Sequence, residues 1–211
     1  LTTLDQADTL RRTAGHIQTG SGGQADARFV KNVATVISVE STATFEDKVT
    51  TRSELLRNVE KLDSRSKNSI EQVSSVLGAT VEKANEIEPS GLEYGIRTAC
   101  RLANYLERLS DDSSSVVNSV AAVQVNALSN LLNVAATHGE EISISNETDP
   151  LAKQNMTKQN IRQSTLATEA LVNIANVLLK TISKVNDPIK VPTEFVDFIV
   201  AWNNVSKETS F

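Results

Sequence analysis

Apolar residues recur every three or four positions along most of this chain, and that spacing constrains the fold more than any other feature. It is the period of an amphipathic α-helix. Only 8 Gly and 4 Pro interrupt it in 211 residues. We therefore expect an all-α fold, a bundle of six to seven helices, with apolar stripes in the stretches 4–17, 29–37, 45–62, 70–77, 92–109, 116–136 and 151–185.

Capping residues mark several of the predicted helix starts. Thr44 precedes the third helix with Asp47 three residues later, a spacing that favours an N-cap. Ser69 and Gln72 have capping-box spacing at the start of the fourth helix. We expect this fourth helix to fray after Gly78, because glycine is common at helix C-termini.

Polar segments predict the connections between helices. The stretch Glu88-Pro89-Ser90-Gly91 predicts a break between two helices, since proline disfavours helix in the residue before it. Residues 20–23 are glycine-rich and predict a connector, and residues 138–150 predict a polar loop containing Gly139. The last helix then carries the longest stripe: Ile161, Leu171, Val172, Ile174, Ala175, Leu178, Leu179, Ile182 and Val185.

The pattern changes at residues 189–201, where β-branched and aromatic residues alternate in part. This favours one or two strands broken at Pro192. A strand that ends an otherwise helical chain has no partner and exposes unpaired backbone groups. We therefore divide the chain into a helical domain, 1–188, and a β segment, 189–211, and expect the sheet to be completed outside this chain.

Charge and hydropathy exclude some partners. The net charge of −5 argues against nucleic-acid binding. The longest apolar run, residues 198–202, is far shorter than the ~18 residues of a membrane span, so we expect no membrane contact within the chain. The chain begins at Leu1 and has no signal peptide, which suggests either processing or a fragment of a longer protein.

Cys100 is the only cysteine, which excludes an internal disulfide and a cysteine-based zinc site. It is interpreted as a small buried apolar residue. Three possible N-glycosylation sites, at Asn146, Asn155 and Asn204, permit an extracellular location. They do not support it by number, because about three are expected by chance from 17 Asn and 42 Ser or Thr residues.

No pattern of catalytic residues is found in the sequence. His16 and His138 are far apart, and neither has a second metal ligand nearby. The glycines at 20–23 lack the Lys-Ser/Thr ending of a phosphate-binding loop. Acidic pairs such as Glu140-Glu141 fit helix caps and loops better than a desolvated cleft. We expect no enzyme activity, no cofactor and no metal. An enzyme would need an activity that depends on His138 or Glu140.

Two stretches carry a resemblance to a known family. The first comprises Arg52, Leu55 and Leu56, followed by Leu77-Gly78-Ala79-Thr80 and then by Glu88-Pro89 before the 92–109 helix. This order resembles the helical part of the extracellular region of polycystin-type and receptor-for-egg-jelly proteins. The second, a Leu-rich helix followed by Val191-Pro192-Thr193, is similar to the passage from helices to sheet in an autoproteolysis-inducing domain. Together they cover about residues 29–200.

The resemblance implies a non-catalytic helical module of a large cell-surface receptor associated with a cation channel. It would lie outside the plasma or ciliary membrane, acting in structural support and protein interaction. Its partners would be neighbouring domains of the same receptor or another protein. The family's His-Leu-Ser/Thr cleavage tripeptide and its Cys and Trp pairs are absent from this sequence, so no residue receives a cleavage role. The alternative is a free-standing helical adaptor or sensor bundle.

Overall fold

The computed structural model describes residues 44–62, 64–109, 114–145, 149–181 and 188–201. Over these residues the elements are α1 (Phe45–Lys61), α2 (Lys67–Val81), a 3-10 turn (Ala84–Glu86), α3 (Pro89–Tyr105), a second 3-10 turn (Leu106–Leu109), α4 (Ser114–Ile144), α5 (Pro150–Thr181), β1 (Ile189–Val191) and β2 (Phe198–Val200). The predicted helical bundle is confirmed, with five helices in the described residues rather than six to seven. The helices predicted at 4–17 and 29–37 lie outside those residues.

Helix α3 occupies the centre of the bundle and packs against α1, α2, α4 and α5. It begins at Pro89, where the absence of a backbone N–H costs nothing in the first turn. Because small side chains let helix axes approach closely, α3 can contact all four neighbours at once. The small residues of its buried face are Gly91, Gly95, Thr98, Ala99 and Ala103.

Two glycines on α3 lie where a side chain would collide with a neighbouring helix. A Cβ on Gly91 would lie 2.8 Å from the Ser53 Oγ and 3.3 Å from the Ser53 Cα of α1. A Cβ on Gly95 would lie 2.7 Å from the Leu131 Cδ2 of α4. Leu131 has no exposed surface, so it has little room to move. Gly91 and Gly95 therefore set the distances from α3 to α1 and α4.

A buried arginine joins α1 to the end of α2. The Arg52 side chain has no solvent exposure; its Nε donates to Glu86 Oε2 at 2.6 Å and its Nη1 to the Thr80 carbonyl at 2.7 Å. Thr80 is in the last turn of α2, where unpaired carbonyls favour a positive charge. Arg52 thus pairs with the carboxylate of the following 3-10 turn and also caps α2.

We predict that Arg52→Met lowers the free energy of unfolding by about 3–5 kcal/mol, because it leaves Glu86 without its buried cation. Arg97→Met is the matched control. Arg97 pairs with Glu93 and Glu60, but its side chain is 55% exposed, so its loss should cost less than about 1 kcal/mol. Urea unfolding of both variants measures the difference, and equal losses would contradict the role given to Arg52.

Helix α2 begins earlier and ends later than the sequence analysis predicted. Ser66, not Ser69, is its N-cap, and Ser69 takes the return position of a capping box. The predicted fraying after Gly78 is wrong, because the helix continues to Val81. At Gly78 a Cβ would lie 3.1 Å from Val123 Cγ1 of α4, so this glycine serves helix packing rather than helix termination. The predicted cap of α1 is confirmed: the Asp47 N–H donates to Thr44 Oγ1 at 3.2 Å.

Helices α4 and α5 form a long antiparallel pair of 31 and 32 residues. The predicted loop at 138–150 is wrong, because α4 continues through His138 and Gly139 to Ile144. Gly139 lies where α5 passes close to α4 and leaves little room for a side chain. A Cβ on Gly139 would lie 2.9 Å from Asn160 Nδ2. Lys153 Nζ donates to the Ser143 carbonyl at 3.0 Å and so holds the end of α4 against the start of α5.

The predicted apolar stripe of α5 is only partly buried. Leu171, Ile174 and Leu178 lie in the core as expected. Ile161 and Val172, assigned to the same stripe, are 60% and 54% exposed, so their predicted burial is wrong. They lie 11 residues apart, close to three full helical turns, and therefore occupy one outward face of α5.

The two short strands form an antiparallel hairpin, with Ile189 opposite Val200 and Val191 opposite Phe198. The expectation that the strand lacks a partner within the chain is therefore wrong. Val191 and Phe198 are buried against the helices. Ser129 Oγ in the middle of α4 donates to Thr193 Oγ1 at 2.9 Å, which fixes the hairpin turn to the bundle. Further strands from outside the chain remain a prediction.

Candidate functional site

The residues singled out from the sequence do not come together in the structure. His138 is half-buried on α4, whereas Glu140 and Asn155 are exposed on α4 and α5. His16, Asn146 and Asn204 lie outside the described residues. In the part of the chain that the structure describes, no three His, Cys, Asp or Glu residues are grouped so as to hold a metal ion.

Cys100 is half-buried on α3 and packs against the core. Its Sγ donates to the Leu166 carbonyl of α5 at 3.4 Å. Burial raises the pKa of the thiol, and the negative charge of Glu169 raises it further. The thiol is therefore protonated at neutral pH and joins α3 to α5. The sequence analysis expected a buried residue, whereas Cys100 is half-buried.

His138 lies in a pocket of about 230 Å³ formed by the first residue of α3, the last turns of α4 and the first half of α5. Pro89, Ile142 and Met156 form its apolar lining. The polar lining consists of His138, Glu141, Ser145, Gln159, Asn160 and Gln163. Glu141 is the only charged residue in this lining, so the pocket does not favour anions.

Three buried polar atoms of this pocket's residues have no hydrogen-bond partner: His138 Nδ1, Asn160 Oδ1 and Gln163 Nε2. Asn160 Nδ2 donates to the Ala135 carbonyl at 3.0 Å. This bond fixes the amide so that its oxygen is the free atom. An unpaired buried polar atom costs about 1–3 kcal/mol. Each of these three atoms is covered by its neighbours and has almost no accessible surface, so a buried water molecule is the simplest partner for them.

The pKa of His138 is lowered, chiefly because burial disfavours the charged imidazolium. The carboxylate of Glu141 and a hydrogen bond to the backbone of Ile87 act in the opposite direction and raise it. His138 is therefore neutral at pH 7.

The lowered pKa of His138 predicts a loss of stability in mild acid. Below pH 6.5 the unfolded chain binds a proton at this histidine more readily than the folded chain does. The free energy of unfolding should therefore fall between pH 7.5 and pH 5.5, and fall less in His138→Gln. Urea unfolding across this range measures it, with His16→Gln as the control for the other histidine. The same pH dependence in His138→Gln and wild type would contradict the prediction.

A wider depression of about 370 Å³ is lined by Lys61, Leu62, Ser64, Arg65, Arg101 and Tyr105. Its basic character suggests an anion site at first sight. However, Arg101 Nη1 donates to the Glu60 carbonyl at 2.5 Å and so caps the end of α1. Arg108 donates to the Arg65 carbonyl and stacks on Tyr105, 4.2 Å from the ring centroid. Arg101 and Arg108 therefore make structural contacts between segments of the bundle.

Asn160 and Gln163 were not predicted as lining residues because neither side chain titrates. A signal was present: Gln163 is in helical phase with Ala167, Ala170 and Ile174, which are buried. A polar residue on the apolar face of a helix needs a partner. The pocket also depends on α4 extending past Gly139, which the sequence analysis had assigned to a loop.

Helix α4 also meets the length and hydropathy criteria for a membrane span over Ser115–Ile144. Of its apolar window, 56% is buried in the bundle. A core helix of a bundle meets the same criteria. No family model, no curated protein and no solved structure matches this chain.

Proposed function

We propose that this chain is a non-catalytic helical module that acts through protein interaction, as part of the extracellular region of a cell-surface receptor associated with a cation channel. The observation that carries the proposal is the outward face of α5. Ile161 and Val172 are more than half exposed on it. Exposed apolar side chains aligned along one helix are typical of a surface that packs against another protein.

The location of these residues also suits a supporting role. Helix α5 packs on both α3 and α4 with its inner face, so the outward face is displayed on a rigid helix. About 17 Å separate Ile161 from Val172 along the axis at 1.5 Å per residue. That length suits contact with a neighbouring domain. The receptor assignment rests on the sequence resemblance, with the exposed sequon at Asn155 consistent with it.

We expect the double substitution Ile161→Ser and Val172→Ser to change the free energy of unfolding of the isolated chain by no more than about 0.5 kcal/mol, because both side chains are in solvent. Ile174→Ser, on the buried side of α5, should cost at least about 2 kcal/mol. Urea unfolding measures both. A loss above about 1 kcal/mol in the double variant would mean that the chain itself covers this face, and the proposed interaction surface would be lost.

The extracellular location predicts a glycan on Asn155 when the full-length protein is made in its native cells. Asn155 is exposed on α5, and Thr157 completes the sequon. Thr157→Ser keeps the sequon and should keep the glycan, whereas Thr157→Val should lose it. Mass spectrometry of the peptide before and after enzymatic deglycosylation measures occupancy. An unmodified Asn155 in wild-type material, with Asn146 and Asn204 unmodified as well, would favour the alternative, a free-standing helical adaptor or sensor bundle.

A further inference from the structure

We infer that the outward face of α5 pairs with the same face of a second copy of this chain, with the two helices antiparallel. The outward stripe on this face consists of Ile161, Thr165, Thr168 and Val172, all of them exposed. Their spacing of four, three and four residues keeps them within about 60° of one another around the helix. The inference rests on the proposed function and names the partner as a second copy.

The two threonines of the outward stripe can be covered by a partner at little cost. Thr165 Oγ1 donates to the Ile161 carbonyl at 2.9 Å, and Thr168 Oγ1 donates to the Ser164 carbonyl at 2.9 Å. Each hydroxyl already has an acceptor within α5, so exclusion of water leaves neither hydroxyl proton unpaired. All four residues of the stripe are β-branched and lose little rotamer freedom when they are packed. The stripe therefore suits burial against another helix.

A second copy is the matching partner because the stripe complements itself when it is reversed. Ile161 and Val172 are equally distant from its midpoint, between residues 166 and 167, and so are Thr165 and Thr168. About a two-fold axis at this midpoint, Ile161 of one copy lies level with Val172 of the other, and Thr165 lies level with Thr168. The larger apolar side chains thus meet at both ends of the contact, with the threonines between them.

Arg162 and Glu169, two exposed residues of opposite charge, flank the stripe on the side of α3. Arg162 lines a depression together with residues of α3, and the charge of Glu169 acts on Cys100, also on α3. Among the described residues, neither Arg162 nor Glu169 forms an ion pair. Both charges are therefore available to a partner.

These two charges favour the antiparallel direction. The two-fold axis keeps the α3 sides of both copies on one side of the contact, so Arg162 of each copy comes close to Glu169 of the other. Along the helix axis the two residues differ by only about 3 Å in level, which long side chains span. A parallel pair would place the α3 side of one copy against the α4 side of the other, so the two charges could not meet.

The contact predicts a weak dimer. Two single helices bury less than the roughly 1,200–2,000 Å² of stable complexes, so we expect a dissociation constant on the order of 10–100 µM. The exposed ion pairs add little to this affinity and mainly select the direction of pairing.

Sedimentation equilibrium of the full chain at low ionic strength, up to about 500 µM, tests the inference. We expect a monomer–dimer equilibrium in the wild type. The double substitution Ile161→Ser and Val172→Ser should weaken it at least about tenfold, because it removes the apolar ends of the contact. A dimer of wild-type affinity in the double variant would overturn the inference.

Charge reversal tests the antiparallel direction. Arg162→Glu should weaken the dimer at least about fivefold, because it sets two carboxylates against each other at two places. The exchange Arg162→Glu with Glu169→Arg should restore the wild-type affinity to within about twofold. Arg57→Glu, at an exposed position of α1, is the control for net charge and should leave the dimer unchanged. Failure of the exchange to restore the dimer would overturn the antiparallel pairing.

Urea unfolding of the double variant separates failure of this inference from failure of the proposed function. A monomeric wild type with a double variant of unchanged stability would overturn the pairing of two copies and leave the face for a different protein. A monomeric wild type with a clearly less stable double variant would mean that the chain itself covers the face. That result would overturn both the pairing and the proposed interaction surface.

Discussion

The close packing of α3 against its neighbours is the constraint on which the rest of this fold depends. A 17-residue helix contacts four others because Gly91 and Gly95 carry no side chains where Ser53 and Leu131 lie. With α3 in the centre, α1 and α5 pack on it directly and α4 closes the bundle. The buried pair of Arg52 and Glu86 then fixes the remaining connection, between α1 and the end of α2.

The pocket also depends on a glycine that lets two helices approach each other closely, in this case α4 and α5. Gly139 lets α5 lie near enough to α4 for Asn160 to reach the Ala135 carbonyl. The polar atoms that remain free are therefore a consequence of how tightly the two long helices pair. Elsewhere in the described core Gln124 Nε2 donates to Ser74 Oγ at 2.9 Å, while Gln124 Oε1 is buried without a partner.

The sequence predicted the helical bundle because apolar periodicity reports burial, as at Leu55, Leu56 and Val59 of α1. Phe45, assigned to the same stripe, is 59% exposed, so its predicted burial is wrong. The Thr44 cap followed from its spacing to Asp47. The glycines misled the analysis: Gly78 and Gly139 were interpreted as helix ends, whereas each permits contact with a helix distant in the sequence. Local propensity cannot show such a contact. The exposure of Ile161 was missed for the same reason, since the pattern along α5 does not reveal which side its neighbours cover. The pocket could not be predicted because most of its lining comes from two helices, α4 and α5, whose contact the sequence pattern does not show.

The many elements packed against α4 have a consequence for backbone hydrogen exchange. Helix α4 packs against α2, α3, α5, both 3-10 turns and β1, so its middle turns cannot open without separating those elements. Amides around Leu128, which has no exposed surface, should exchange only when the whole bundle unfolds. Those near Ile144, 79% exposed at the end of the helix, exchange through local fraying. One helix would therefore report both the global stability of the protein and the local opening of the pocket's rim.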